Sequence, residues 1–473
     1  MNVLPAAGTV LGEAVRAALL AAGFGVFVLA IERWYQRSHP PVEWTRKTLH
    51  VGFGVVAAAL PWIITSHWTL LVLGMFIVVP LQVARRRGWL PSLFDVERPS
   101  MGELYFPLGV YLLFVAASGQ RVFYIISLVT LVLCDAFAAV LGDSYGRHRY
   151  RVHREQRSLE GSAVFFLAAF LGTHIPLLLF TPIDRGASVM ISLQIALLVT
   201  SFEAISPGGS DNLVLPIGAY YLLVKLTPNS SAAIGLQLAA QLAILIAMLV
   251  LAKRTRFLTF SGALAAHLVL YSAFSLGGPW WIVAPVLALA FLLALDRAHH
   301  GRLASAAEGH DVRTIFYTAI VATLWLFADN AFATLVPEAG PLSKGHPFHV
   351  LFVGALAAAL AVIASWSFAN MPRFRRRAPF VRSAAALLLA FVGVAWPGLW
   401  ALRGEQMTRE LGVATLICLF ALLADMGLRR LLPRVDFGQD GLRRLALGVL
   451  LATLVVLPLH LWWQGLSTRD LLP

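Results

Sequence analysis

The chain has 473 residues, of which 59% are hydrophobic and only 13% are charged, and its formal net charge is +13. A soluble domain carries about twice that charged fraction, so the composition excludes a soluble enzyme, a disordered protein and a nucleic-acid-binding domain. The two cysteines, Cys134 and Cys418, lie far apart in apolar segments and provide neither a disulfide framework nor a metal-ligand spacing. The sequence therefore predicts an all-α, polytopic integral membrane protein.

About 16 (±2) apolar runs, separated by charged or Pro/Gly-rich breaks, are predicted to be transmembrane helices. In chain order they are 10–31, 48–65, 67–83, 101–118, 121–141, 161–181, 187–206, 212–227, 230–252, 259–276, 279–296, 314–335, 347–369, 383–402, 410–428 and 445–465. The run 212–227 is short and contains Pro216, which is typical of a broken or re-entrant helix. The first ten residues lack the basic start of a cleavable signal.

Most of the 37 Lys and Arg residues lie in alternate loops between these runs. Because positively charged loops stay in the cytoplasm, this asymmetry predicts that those loops are cytoplasmic and that both termini lie outside. Arginine greatly outnumbers lysine in a chain rich in alanine and leucine. That bias indicates a GC-rich bacterium, and hence location in the bacterial inner membrane.

A charged segment joins the fifth and sixth runs at the predicted cytoplasmic face. Asp135 lies near the end of the fifth run and Glu160 at the start of the sixth, although a carboxylate inside a membrane helix costs about 2.5–3.5 kcal/mol. Between them lie five arginines: Arg147, Arg149, Arg151, Arg154 and Arg157. Carboxylates that flank cations are a pattern for Mg²⁺ and phosphate binding.

The pattern Asp135…Gly142…Gly146…Arg157-Ser158-Leu159-Glu160-Gly161-Ser162 resembles the signature of the CTP-dependent lipid kinases. These include dolichol kinase, phytol kinase and the yeast-type diacylglycerol kinase. Three more stretches resemble motifs of that family in chain order: Arg46-Lys47-Thr48-Leu49-His50 with Gly52 and Gly54, Gly102-Glu103-Leu104-Tyr105-Phe106-Pro107-Leu108-Gly109 and Glu203-Ala204-Ile205-Ser206-Pro207-Gly208-Gly209-Ser210-Asp211-Asn212-Leu213-Val214-Leu215-Pro216.

The resemblance implies transfer of the γ-phosphate of CTP to the hydroxyl of a lipid alcohol, such as phytol, dolichol or diacylglycerol, at the cytoplasmic face. It implies that Asp135, Glu160, Arg157 and Asp211 are catalytic, and that Mg²⁺ is held by Asp135 and Glu160, with Asp143 as a further candidate ligand. The residues expected to bind the nucleotide or product phosphate are Arg147, Arg149, Arg151, Arg154, Gly142, Gly146, Gly161, Ser162, Asn212, Arg46, Lys47, His50 and Glu103.

The chain departs from the family pattern at two positions. Ala139 stands where a second acid is common, and Arg157 stands where lysine is usual. Several site candidates also have a structural interpretation: glycines for helix packing, Lys47 for snorkelling to the interface and Asp211 for capping a helix.

The second half of the chain is predicted to be an additional membrane domain, 256–473, beside a kinase-like domain, 1–255. The stretch 258–266 is similar to the opening of the phytyl-phosphate kinase family. Where that family carries an acidic motif, residues 361–367 contain no carboxylate, so we predict a non-catalytic role. Asp329 and Asp425 are interpreted as helix-capping or interfacially solvated acids.

Two other functions fit parts of the sequence. A phosphatidate cytidylyltransferase has a similar Asp…Gly…Gly…Glu-Gly arrangement and uses CTP, but its C-terminal signature is missing here. A membrane transporter would fit the many crossings and the intramembrane acids. The sequence leaves the lipid alcohol and the oligomeric state open.

Overall fold

A computed structural model describes residues 10–95, 101–152, 155–206, 208–298, 309–335, 346–371, 374, 376–400, 407–431 and 439–464. The chain divides into two compact units, Met1–Ala239 and Ala240–Pro473. The boundary falls inside one helix, Ser231–Thr255, at whose C-terminal end the predicted domain boundary lies. The separate functions of the two predicted domains stay a prediction.

The helices of the first unit follow the predicted runs. They are α1 (Val10–Ser38), α2 (Val42–Ile63), α3 (His67–Arg86), the single turn α4 (Pro91–Phe94), α5 (Gly102–Ala116), α6 (Arg121–Tyr145), α7 (Leu159–Phe180), α8 (Arg185–Ile205), α9 (Asp211–Leu226) and α10 (Ser231–Thr255). A two-stranded antiparallel hairpin, β1 (Arg149–Val152) and β2 (Glu155–Ser158), joins α6 to α7.

The second unit is also built from helices that follow the predicted runs. They are α11 (Phe260–Ser272), α12 (Val283–Ala298), α13 (Val312–Leu335), α14 (His349–Asn370), α15 (Pro379–Ala390), α16 (Trp396–Trp400), α17 (Met407–Leu431) and α18 (Gln439–Trp463). π-helical turns extend α11 through Ala273–Gly277 and join α15 to α16 through Phe391–Ala395.

Thirteen helices in the described part of the chain are long and apolar enough to cross a membrane, which confirms an all-α, polytopic membrane protein. Three predicted runs fall short of this measure. Helices α5 and α9 have only 15 and 16 residues, and the first turns of α2 carry Glu43, Arg46 and Lys47.

An apolar core joins α2, α3, α5 and α6 in the first unit. Its members include Leu60, Leu113 and Leu131, which are all buried. The buried Tyr124 hydroxyl donates to the Ala57 carbonyl at 2.8 Å, so the one polar atom that this ring brings into the core is satisfied. This core fixes α2 beside α6 and thereby positions the charged residues at their ends.

Helix α9 continues through Pro216, so the break that the sequence indicated is wrong, while a re-entrant path stays a prediction. Pro216 lacks an N–H and cannot donate to the carbonyl four residues earlier, that of Asn212. The backbone of α5 passes so close to this carbonyl that a Cβ on Gly109 would lie 2.3 Å from it. Helix α5 thus packs closely against α9 at the carbonyl that Pro216 leaves without its helical hydrogen bond.

The centre of the second unit is α14, a helix that is buried on nearly all sides. Its residues are almost all alanine, leucine, valine and other apolar types, as expected for a helix surrounded by protein. Helices α13, α15, α17 and α18 pack around it.

The two acids singled out in the second unit are buried, so interfacial solvation does not explain them. Asp329 is 2% exposed and accepts the Phe348 N–H at 2.9 Å, and it also pairs with His346. Asp425 is 7% exposed, and its two carboxylate oxygens share the single N–H of the Trp366 indole at 3.0 and 3.1 Å. Both acids bind groups outside their own helix.

Candidate functional site

An ion pair between two distant parts of the chain lies at the centre of the candidate site. Lys47 on α2 donates from Nζ to Asp135 Oδ2 on α6 at 2.6 Å. His50, one turn after Lys47, has its Nε2 3.8 Å from the same oxygen and 3.3 Å from the Leu131 carbonyl. The three side chains are only partly exposed. The first and third predicted motifs therefore meet at one carboxylate.

Arg157 brings the third and fourth motifs together. Its guanidinium pairs with Glu203 near the end of α8, and its Nη2 donates to the Ser206 carbonyl at 2.8 Å. Arg157 also interacts electrostatically with Asp135 and Asp211. A planar guanidinium has several donors in a fixed fork, which lets Arg157 bind Glu203 and the Ser206 carbonyl together.

Asp211, the first residue of α9, completes the arrangement. Its carboxylate interacts electrostatically with Asp135, Arg157 and Lys47, and its Oδ1 accepts the Asn212 N–H at 3.0 Å. We call Lys47, His50, Asp135, Arg157 and Asp211 the ionic cluster. It joins two carboxylates, two permanent cations and one imidazole from four segments that are far apart in sequence.

Glu160 has partners outside the ionic cluster. Both of its carboxylate oxygens accept the His148 N–H, at 3.1 and 3.2 Å, and His148 Nδ1 lies 2.7 Å from one of them. This position in the first turn of α7 is favourable for an acid because the helix N-terminus carries positive charge. A shared metal site of Asp135 and Glu160 stays a prediction.

The hairpin residue Tyr150 packs toward the start of α7. Its hydroxyl lies 2.8 Å from Ser162 Oγ. Burial raises the pKa of the Tyr150 phenol, so the hydroxyl stays neutral at physiological pH. Ser162, a predicted nucleotide-binding residue, is thus held by the hairpin.

The predicted phosphate-binding glycines lie where α6 meets α7. A Cβ on Gly142 would be 3.0 Å from the Gly161 Cα, and a Cβ on Gly146 would be 2.2 Å from the Gly142 carbonyl oxygen. Helix α6 ends at Tyr145, and Gly146 follows it as its C-cap. These glycines permit close packing beside the Ser158 cap of α7; their contact with a phosphate stays a prediction.

The remaining predicted site residues have other partners, are exposed or lie outside the description. Arg46 pairs with Glu43 at 2.9 Å, and Glu103 pairs with Arg85 on α3. Asn212 donates to the Gly209 carbonyl at 3.1 Å. Arg147, Arg149 and Arg151 are exposed. Arg154 and the side chain of Asp143 lie outside the described residues.

Sequence reasoning quoted Glu203 within a motif but did not assign it to the site. The structure makes it the acidic partner of Arg157. An available signal was its position: a carboxylate near the end of an apolar helix requires a specific partner.

The described side chains contain no group of three or more His, Cys, Asp and Glu residues that is arranged to hold a metal ion. A site built from protein ligands alone is therefore not seen in this part of the chain.

The fold and the ionic cluster define an α-helical integral membrane protein with a charged site at the ends of its helices. The chain is 32% identical to a phytol kinase from Synechocystis sp. over 206 residues, which are 42% of this chain and 87% of that protein. No family model matches the chain, and no solved structure matches it. The chain belongs to the polyprenol and phytol kinase family, through less than half of its length.

Proposed function

We propose that this protein transfers the γ-phosphate of CTP to the hydroxyl of a lipid alcohol in the bilayer. Its relative is a phytol kinase, which supports an isoprenoid alcohol as the acceptor. The observation that carries the proposal is the ionic cluster, in which Lys47 and Arg157 lie beside Asp135 and Asp211. The choice of CTP rests on the resemblance of the motifs alone.

The ionic cluster has the parts that phosphoryl transfer requires. Such a reaction depends on positioning and on neutralising charge spread over the phosphate oxygens. In the proposed reaction Lys47 and Arg157 bind phosphate oxygens, and Asp135 receives the proton of the lipid hydroxyl. Arg157 is itself positioned by Glu203 and the Ser206 carbonyl.

The same residues fit a magnesium ion. Mg²⁺ is usually held by one or two carboxylates together with substrate phosphates rather than by a full protein cage. Asp135 and Asp211 provide two carboxylates within electrostatic range of each other. When bound there, the ion would neutralise charge on the transferred phosphate.

We place the reaction at the cytoplasmic face of a bacterial inner membrane. The alternation of basic loops supports this side. The placement would let the nucleotide arrive from water and the alcohol from the bilayer. The ionic cluster lies in the first turns of α2, at the start of α9 and in the second half of α6. The positions in α2 and α9 support a site near the membrane surface.

Purified protein supplied with CTP carrying label in the α- or the γ-phosphate tests the proposal against a panel of isoprenoid alcohols and diacylglycerol. We expect transfer of γ-label only, and abolition of transfer when EDTA removes Mg²⁺. Transfer of α-label would instead identify a cytidylyltransferase.

The site assignment is tested with Asp135→Asn in the same assay. Loss of a general base lowers turnover by about 100-fold or more, and loss of the Lys47 partner adds to this. Glu43→Gln is the matched control because Glu43 pairs only with Arg46 among the described residues. Near-normal turnover of Asp135→Asn would refute the assignment.

A further inference from the structure

The hairpin between α6 and α7 sorts its arginines onto two faces. In the antiparallel register Tyr150 pairs with Arg157, and Arg151 pairs with Gln156. Paired residues share a face and successive residues alternate between faces. Arg157 and Tyr150 therefore lie on one face, and Arg149 and Arg151 lie on the other.

The contacts identify the inner face. Tyr150 reaches Ser162, Arg157 reaches Glu203, and Val152 is only 1% exposed. In contrast, Arg149 and Arg151 are exposed. We call these two residues the outer arginine face.

The hairpin lies at the membrane surface. It connects two helices that are long and apolar enough to span a bilayer. A four-residue strand is about 13 Å long. Even if the hairpin stands upright on the membrane, most of it therefore lies in the headgroup layer or within one Debye length of that layer. Tyr145, the last residue of α6, is 70% exposed, as is common for tyrosine at a membrane interface.

We propose that the outer arginine face binds the headgroups of anionic phospholipids. Guanidinium groups bind phosphate oxygens through paired hydrogen bonds. Among the described side chains, no carboxylate forms an ion pair with Arg149 or Arg151. Two acids whose side chains are described near the hairpin have other partners, since Glu160 binds His148 and Glu203 binds Arg157.

The orientation favours a lipid over the nucleotide as the ligand. Arg157 directs the inner face toward the ionic cluster, and the outer arginine face points the opposite way. Headgroups bound there would hold the hairpin and, through it, Arg157. Turnover would then depend on the anionic lipid content; this consequence rests on the proposed function, whereas the binding does not.

Lipid enrichment at the hairpin is measured with a fluorescent thiol probe on Gln156→Cys, which lies on the outer face. The native Cys134 and Cys418 are buried, so the probe labels the introduced thiol. In nanodiscs, we expect stronger quenching by phosphatidylglycerol that carries a nitroxide near the headgroup than by phosphatidylcholine with the same label.

The double variant R149Q/R151Q should lose this preference for phosphatidylglycerol. Each arginine removed should lower the local enrichment of the anionic lipid by roughly fivefold. The matched control is R33Q/R37Q, which removes two exposed arginines at the end of α1 and should leave the preference unchanged. Equal quenching by the two lipids in the otherwise unmodified protein would overturn the proposal.

A second measurement follows kinase turnover in vesicles of phosphatidylcholine with increasing phosphatidylglycerol. We expect turnover to rise severalfold, the rise to vanish in R149Q/R151Q and to return in R149K/R151K. A raised KM for CTP with an unchanged lipid response would identify a nucleotide clamp and overturn the proposal. If no variant transfers phosphate, the proposed function fails while the quenching result still decides the lipid site.

Discussion

At the scale of single residues, the contacts of Arg157 account for a departure from the family pattern. Lysine is usual at this position in the resembled family, but here the side chain binds Glu203 and the Ser206 carbonyl together. An ammonium is a compact point charge, whereas a guanidinium binds two acceptors in fixed directions. The arginine therefore ties the end of α8 to the ionic cluster.

Glu203→Gln should destabilise the protein, because it removes the carboxylate that pairs with the partly buried Arg157. Losing a hydrogen bond to a charged group costs about 1.5–3 kcal/mol of unfolding free energy. We expect SDS-titrated unfolding to show this loss and turnover to fall with it. In the R157K background the same change should cost less, since the two effects are coupled. An unfolding midpoint equal to that of the unmodified protein would contradict the structural role of Glu203.

At the scale of elements, close helix approaches position the charged residues. Gly109 lets α5 pack on the Asn212 carbonyl at the start of α9, next to Asp211. Gly142 and Gly161 let α6 and α7 approach beside the Ser158 cap. Each of these glycines lies where an added methyl group would meet backbone, which cannot move aside as a side chain can.

Gly109→Ala should therefore separate α5 from α9. Overpacking of this kind costs about 1–3 kcal/mol, and displacement of Asp211 should lower turnover as well. Gly218→Ala is the matched control, because a Cβ there meets nothing within 4 Å and alanine favours a helix by about 1 kcal/mol. Unfolding and turnover assays on both variants check this. Equal behaviour of the two would show that the close approach is unimportant.

The elements themselves were largely predictable. Each predicted apolar run coincides with a helical segment, because membrane helices are selected by length and hydropathy, which are local properties. The hairpin was not predicted. The stretch Arg149–Ser158 is polar and short, so its strand pairing depends on the nearby ends of α6 and α7 rather than on its own pattern.

At the scale of the whole molecule, the family relationship covers 42% of the chain, and a second unit of similar size follows the first. This second unit has buried acids of its own. Asp329 and Asp425 are each satisfied by groups outside their own helices, which is how a folded interior tolerates a carboxylate.

Asp329→Asn tests whether the second unit is structural, as predicted. Loss of the charged partner of His346 should lower stability by about 1–3 kcal/mol, while turnover per folded molecule should change less than about twofold. Unfolding and transfer assays on the same preparation separate the two effects. Turnover as low as that of Asp135→Asn in a folded protein would show that the second unit takes part in the reaction.

The sequence by itself determined the membrane class, the helical segments and the four motifs, because hydropathy, charge and spacing are read locally along the chain. Only the tertiary structure decided which motif residues meet. In the folded protein Lys47 pairs with Asp135 and Arg157 pairs with Glu203. Glu160 pairs instead with His148, and Glu103 pairs with Arg85. The reason is physical: an ion pair depends on the distance between two side chains, and for residues far apart in sequence that distance is set by how helices pack.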